Sequence, residues 1–357
     1  MKHPYIGLPD QQFWKKSTGL TDHTSFDPVG DVPFRIGSND RVVTAGSCFA
    51  QHVARYISDA GFYHYITETA HPLVPEAVAQ LQNYGMFSAR YGNVYTARQL
   101  KQLLLRAYGE YKPETTHWLA KNGKSIVDPF RPQIQPGGFA SVEELEADQE
   151  QHFEAVRAAI EGADVFVFTL GLTECWIDKK DGAALPLAPG VAGGTYAPDR
   201  YGFHNFDEVE TSDDLHFALK FIREINPKVK FILTVSPVPL NATMEPRHVF
   251  ESTTWSKAVL RIAAEKMRRQ MPDCAYFPSY EIITSPHVRG RYFAADARSV
   301  LPAGVNHVMG LFSKHYFEEE TLHGIPQETM DETAEDAVEI MEHLMSVLCD
   351  EEAISNR

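Results

Sequence analysis

Residues 41–62 read RVVTAGSCFAQHVARYISDAGF. The run 41–45 is short and apolar, Gly46, Ser47 and Cys48 follow it, and from about residue 49 to residue 60 Val53, Ala54 and Ile57 fall on one helical face, with Gly61 as the C-terminal stop. A strand, a tight turn and a helix in that order form the opening unit of an α/β fold.

Working outward, residues 62–66, Val165–Leu170 (VFVFTL), Lys230–Val235 (KFILTV) and 275–278 have strand length and near-continuous apolar character, which predicts strands buried on both faces. Helical patterns fit between them over about 142–161, 213–225 after a Ser/Asp cap, and 253–270. The alternation implies right-handed crossovers and a three-layer α/β/α sandwich with a parallel, flavodoxin-like sheet and long loop insertions. Residues 1–38 read as an N-terminal extension and 39–325 as the α/β domain, with insertions at about 86–140 and 178–210. Residues 326–357 read as an acidic C-terminal helix. From 331 to 356 there is no Lys or Arg, while Val338, Met341, Leu344, Met345 and Leu348 recur at helical spacing, as in a peripheral helix with a solvated acidic face or a partner-binding tail.

Composition narrows the function classes. With 357 residues, 43% of them hydrophobic, the chain can bury a sizeable core. A net charge of -15 leaves no basic footprint for a phosphate backbone, so no nucleic-acid partner is expected, and an anionic membrane surface is disfavoured for the same reason. The N-terminus has no continuous apolar stretch, and no window approaches the roughly 18 apolar residues of a spanning helix; the expectation is a soluble cytoplasmic protein with no membrane partner. Four cysteines, Cys48, Cys175, Cys274 and Cys349, lie scattered without CxxC spacing, against a disulfide framework or a zinc site. No HExxH or dense Asp/His cluster appears, so neither metal nor cofactor is expected.

Ligands of open parallel sheets gather outside the carboxyl ends of the strands, where Ser47, residues 171–174 and residues 236–239 fall. A serine at a strand-to-helix turn is presented outward, beside unpaired N–H groups and the positive end of a helix dipole that suit a developing oxyanion. Ser47 is equally an ordinary helix cap. Cys48 is the intrinsically better nucleophile, although the residue after such a nucleophile normally turns back toward packing.

Five blocks, AGSCFA (45–50), TLGLTECW (169–176), TVSPVPL (234–240), SKAVLR (256–261) and YFPSYEI (276–282), resemble in this order the GSCFA domain family, generally placed near the SGNH/GDSL hydrolases. The resemblance implies a serine-dependent ester hydrolase or O-acyltransferase acting on an acetylated carbohydrate or similar small ester. Ser47 then stands as nucleophile and its N–H as an oxyanion donor. Gly85 in QNYGMF is the candidate loop glycine, with Asn83 close by. Thr173, in the GLTE motif from Gly171 to Glu174, stands where SGNH enzymes carry an asparagine. The compact Asp/His pair of those enzymes is absent: Asp296 and His307 are eleven positions apart. His307 is the candidate base, with His287 and His315 as alternatives. Asp296 orients the imidazole or anchors Arg298.

Other side chains carry milder expectations. Glu174 reads as a second acid/base, a partner of Arg131 or Arg298, or a helix-start carboxylate. Asp128 and Arg131 in DPFRP read as a structural clasp, and Lys257 as a surface ion pair. Two other classes stand beside the esterase: a non-catalytic anion- or glycan-binding module using the turn at Ser47, and a phosphoryl-transfer enzyme, for which no complete P-loop is present.

Overall fold

A computed structural model of the chain describes residues 3–17, 23–318 and 349–355. A short helix α1 (Trp14–Ser17) precedes strand β1 (Val42–Gly46) and helix α2 (Ala50–Asp59), so residues 41–62 adopt the strand, turn and helix their pattern predicts. Helices α3 (Glu76–Leu81) and α4 (Ala97–Ala107) follow, then the short paired strands β2 (Trp118–Leu119) and β3 (Ile126–Val127) and the long helix α5 (Val142–Gly162). Strand β4 (Val165–Leu170) leads into β5 (Glu174–Asp178), β6 (Ala184–Leu185) and β7 (Tyr201–Asn205), a small antiparallel sheet in the order β6-β5-β7. The core unit resumes with α6 (Glu208–Ile225), β8 (Lys230–Val235), α7 (Val249–Gln270), β9 (Cys274–Phe277), α8 (Ser279–Thr284) and α9 (Pro302–Tyr316).

Among the described residues the main sheet has four parallel strands in the order β1-β4-β8-β9, with Gly46 opposite Thr169 and Thr169 opposite Thr234. Because side chains alternate along a strand, this sheet serves two cores. Phe166, Phe168 and Leu170 pack with Phe231, Leu233 and the apolar faces of α4, α5, α6 and α7. Val165 and Val167 pack with Ile232, Phe277 and residues of α2, α8 and α9. Hence the three layers.

The expected strand at 62–66 is a correction. It is reduced to a single bridge of His64 to Val42, framed by Tyr65 N–H to the Val42 carbonyl and Val42 N–H to the Tyr63 carbonyl. His64 is buried against the hydroxyls of Thr44 and Ser88, and Thr67 N–H then bonds the Ser88 carbonyl, which draws the chain off the sheet edge. The segment still lies outside β1, which preserves the flavodoxin-like order second-first-third-fourth-fifth.

Capping shifts two helix starts. Helix α6 begins at Glu208 rather than near 213, because Asp207 accepts from the N–H groups of Val209 and Glu210 while Glu210 reaches back to Asp207 N–H, a complete capping box. Helix α7 begins at Val249, where the His248 ring accepts from Phe250 N–H. Most of the expected acidic C-terminal helix lies outside the described residues. Of the part described, Cys349, Asp350 and Glu351 are buried and a short helical turn spans Glu352–Ser355. No helix among the described residues is long and apolar enough to cross a membrane.

Candidate active site

The turn after β1 is set by backbone crowding. Gly46 has φ +136° and a Cβ there would lie 2.3 Å from the Thr169 carbonyl oxygen, so only glycine fits. Ser47 N–H donates to that same oxygen at 3.0 Å, and a Cβ on Gly171 would come within 2.7 Å of the Ser47 Cβ. Ser47 is therefore packed against the ends of β1 and β4, and its hydroxyl has no hydrogen-bond partner among the described residues. This corrects two expectations: the Ser47 N–H is already used by the strand pairing, and the helix cap is Phe49, with no side-chain cap bond. The N–H groups of Cys48 and Phe49, by contrast, have no hydrogen-bond partner among the described residues.

Cys48 faces a polar cluster completed by the C-terminal segment. Interaction with the Cys349 thiol, together with burial, raises the Cys48 pKa well above the ordinary thiol value; Cys349 is shifted down by Cys48 and by Arg298. Arg298 donates through one nitrogen to Cys349 Sγ at 3.5 Å and to Glu351 Oε2 at 3.2 Å. Asn93 donates to Asp350 Oδ2 at 3.0 Å, Asp350 N–H donates to the Tyr95 hydroxyl at 2.9 Å, and Asn241 donates to the Glu351 carbonyl at 2.8 Å. Burial raises Asp350 to about 6, and burial raises Glu351 as well.

Lys257 lies beneath this cluster. It is 1% exposed and donates to the Gly171 carbonyl at 2.8 Å, which overturns the expected surface ion pair. Burial lowers its pKa to about 8, and both Glu351 and Cys48 fall within its electrostatic range. The signal was present in the spacing: Ser252, Ser256, Lys257 and Leu260 share the buried face of α7.

Ser47, His307 and Asp296 are not joined in a hydrogen-bonded relay. His307 Nδ1 meets the Tyr292 hydroxyl at 2.7 Å, with Phe26 backbone and Asp27 nearby, and burial lowers its pKa. His287 stacks on Phe26 with ring centroids 4.4 Å apart, and His315 pairs with Asp27 at 2.8 Å. His287 and His315 thus engage Phe26 and Asp27, and His307 lies within electrostatic range of Asp27. Asp296 accepts from the Ser299 hydroxyl and from the N–H groups of Arg298 and Ser299, holding its own turn.

The expected oxyanion residues are likewise occupied elsewhere. Asn83 donates to the carbonyls of Gln133 and Ile134, and Gly85 sits in the left-handed turn after α3. The loop beside the nucleophile turn is instead 92–95: Val94 N–H donates to the Gly46 carbonyl, Gly92 has φ +67°, and Asn93 also accepts from Gln51 of α2. Thr173 gives its hydroxyl to Asn205 and its N–H to Ser256. Glu174 starts a strand, accepts from the Thr243 hydroxyl at 2.7 Å, and is raised in pKa by burial. The clasp in DPFRP does form, with Arg131 to Asp128 at 2.9 Å; Arg131 and Arg90 share Asp148, and Arg90 N–H binds Glu68, which braces the start of the 92–95 loop.

A groove of about 980 Å³ adjoins the cluster, lined by Leu240, Asn241, Thr253, Tyr280, Phe293 and Arg298 among others, with Glu352 at its margin. Among the described residues no group of three or more His, Cys, Asp or Glu is arranged to hold a metal ion.

No curated protein matches the chain. Among solved structures, a Clostridium thermocellum family 3 carbohydrate esterase is similar at 10% identity and a TM-score of 0.33, over 80% of this chain and 98% of that one. The model of the GSCFA family matches residues 41–312, so the sequence blocks, the parallel sheet and the turn at its edge meet in one conclusion: the chain belongs to the GSCFA family.

Proposed function

We propose that the protein is an acyl-ester hydrolase or O-acyltransferase whose nucleophile comes from the turn after β1, and that Cys48 rather than Ser47 delivers the attack. The contrast between the two neighbours carries this reading. Ser47 is committed to the strand ends through Thr169 and Gly171, whereas Cys48 lies within electrostatic range of Arg298, Glu351 and Lys257 with its own N–H unengaged.

In this mechanism residues 349–351 first leave the cluster. Lys257, whose pKa burial lowers to about 8 with that segment in place, is the base that accepts the Cys48 proton, as the lysine does in Ser–Lys variants of the catalytic dyad. The thiolate adds to the ester carbonyl, and the N–H groups of Cys48 and Phe49 at the start of α2 receive the oxyanion. Lys257 returns the proton to the departing alkoxide. Water or a second hydroxyl then releases the acyl group from the thioester, which gives hydrolysis or transfer. The adjoining groove has room for a small ester, and a carbohydrate alcohol is the class that kinship with SGNH hydrolases implies. Since the oxyanion donors are backbone groups, turnover is expected to survive EDTA. Loss restored by one divalent ion counts against the mechanism.

The test is a pair of variants assayed on an activated ester, with peptide mapping of the acyl adduct. Cys48→Ala is expected to lose at least about 10³-fold in turnover while Ser47→Ala retains most of it, with the acyl group on Cys48. An adduct on Ser47, with activity surviving in Cys48→Ala, overturns the assignment. One observation favours a second reading, an anion-binding module: the cleft already holds two carboxylates, Asp350 on Asn93 and Glu351 on Arg298. That reading predicts ligand-dependent stabilisation by small carboxylates without any covalent adduct.

A further inference from the structure

Away from the turn after β1, a second concavity opens between the end of α4, the loop that follows it and one face of α5. Its volume is about 870 Å³, the size of a small-molecule pocket, and Arg106, Lys112, Glu146, Glu150, Phe153 and Arg157 are among its walls. From these walls we infer a second binding site, for a small molecule that joins one carboxylate to an ammonium group, with Arg106 seating the carboxylate and the glutamates of α5 facing the ammonium. The site is independent of the proposed ester chemistry.

Arg106 carries the argument. Its guanidinium lies over Phe130 at 3.8 Å and over Phe153 at 5.0 Å from the ring centroids, contacts that hold the group and screen it from water. Among the described residues its side chain makes no hydrogen bond and no ion pair. Asp128 lies within electrostatic range, but that carboxylate is taken by Arg131 at 2.9 Å and by Phe130 N–H at 2.9 Å. Phe130 and Arg106 line a smaller internal cavity, while Phe153 and Arg106 line the open pocket, so the guanidinium stands at the wall between the two. Burial lowers its pKa only to about 10, and it keeps its charge at neutral pH. A partly desolvated guanidinium with unanswered N–H donors is costly, and its planar fork matches a carboxylate through two parallel hydrogen bonds.

The surrounding charges select the rest of the ligand. Arg157 donates to the Ala107 carbonyl at the end of α4, and Lys112 is exposed. Glu146, Glu150 and Glu154 recur every four residues along α5, exposed and without a hydrogen bond or ion pair among the described residues. Three acids against three bases leave the pocket near neutrality, so the glutamate ridge repels a polyanion such as phosphate and attracts an ammonium. A neutral ligand would leave Arg106 unanswered, and a lone carboxylate would leave the ridge unused.

The probe is 6-aminohexanoate, with hexanoate, 6-amino-1-hexanol and inorganic phosphate as comparators. Each is titrated into the full-length protein by saturation-transfer NMR, with thermal midpoints recorded alongside. Wild type is expected to bind 6-aminohexanoate more tightly than hexanoate, and the amino alcohol and phosphate least. Arg106→Met keeps a long side chain against both rings. It should raise the dissociation constant at least about tenfold, with the ligand-free midpoint unchanged or higher because an unanswered charge has gone. Glu150→Gln, an exposed change, should bring 6-aminohexanoate towards the affinity of hexanoate, and this arm does not depend on Arg106→Met folding. Equal binding by wild type and Arg106→Met, or no binding of any carboxylate by wild type, overturns the site. A lowered midpoint in Arg106→Met with binding intact makes the guanidinium a structural stack and overturns it too. Phosphate binding more tightly than 6-aminohexanoate, or an unchanged preference for 6-aminohexanoate in Glu150→Gln, overturns the ligand class.

Discussion

Gly171 touches Ser47 so closely that a single methyl group has no place to go. Gly171→Ala is expected to force β4 and the turn apart and to cost about 1–3 kcal/mol, read as a lowered midpoint in thermal or urea unfolding. A stability unchanged from wild type would show that the contact yields. Lys257 makes the functional counterpart. A base must be neutral to work, so the rise of kcat/KM with pH should follow loss of its proton, centred near about 8 rather than at a histidine-like value. Lys257→Met should remove that rise along with at least about 10²-fold of turnover, and Lys257→Arg should not restore it, since a guanidinium keeps its proton throughout this range. A profile still centred near 6.5 would return the role to an imidazole. The sequence marks the turn at 46–48 clearly, because Gly46, Ser47 and Cys48 follow an apolar strand. It marks Lys257 only through the spacing with Ser252, Ser256 and Leu260, since the charge suggests an outward face until packing of α7 against β8 and β9 buries it. It does not mark Cys349, whose neighbours are far away in sequence.

At the level of elements, legibility follows burial. Strands β4 and β8 coincide with their apolar runs because both faces of each are covered, which demands hydrophobic residues without alternation. The segment 62–66 falls short of a strand for the opposite reason: an edge segment needs only one bridge, and His64, Tyr63 and Tyr65 mix polar and aromatic character without committing to the ladder. Helix starts are set by caps rather than by periodicity, so α6 runs back to the residue where Asp207 and Glu210 satisfy each other's backbone groups. Asp207→Ala should therefore cost about 1 kcal/mol and fray the first turn, visible as faster amide exchange over residues 208–211. Exchange unchanged there would mean that packing of α6 on α4 and α7 suffices alone.

For the whole molecule, the docking of residues 349–351 is linked to pH. Asp350 is raised by burial to about 6 in the docked state, against about 3.9 for a free aspartate, so the docked form binds the proton more tightly. Its contribution to docking is full below about 3.9 and is lost as pH rises through about 6; Glu351, also raised by burial, acts in the same direction. Alkylation of Cys48, corrected for the pH dependence of the thiol, should accelerate from pH 5 to 7. Asp350→Asn, which keeps a neutral group at that position, should flatten the change. A wild-type rate independent of pH after correction would remove the linkage.

Residues 349–351 wall a cleft whose other sides are built from residues near 48, 93, 241 and 298. A ribosome makes that wall last. The sheet and its turn are complete in sequence at Phe277, well before residues 349–351 are read, so a nascent chain passes through a stage in which the turn after β1 lacks that wall. A chain that stops short of residue 349 would make that stage permanent, yielding a core that folds and a cleft that never shuts.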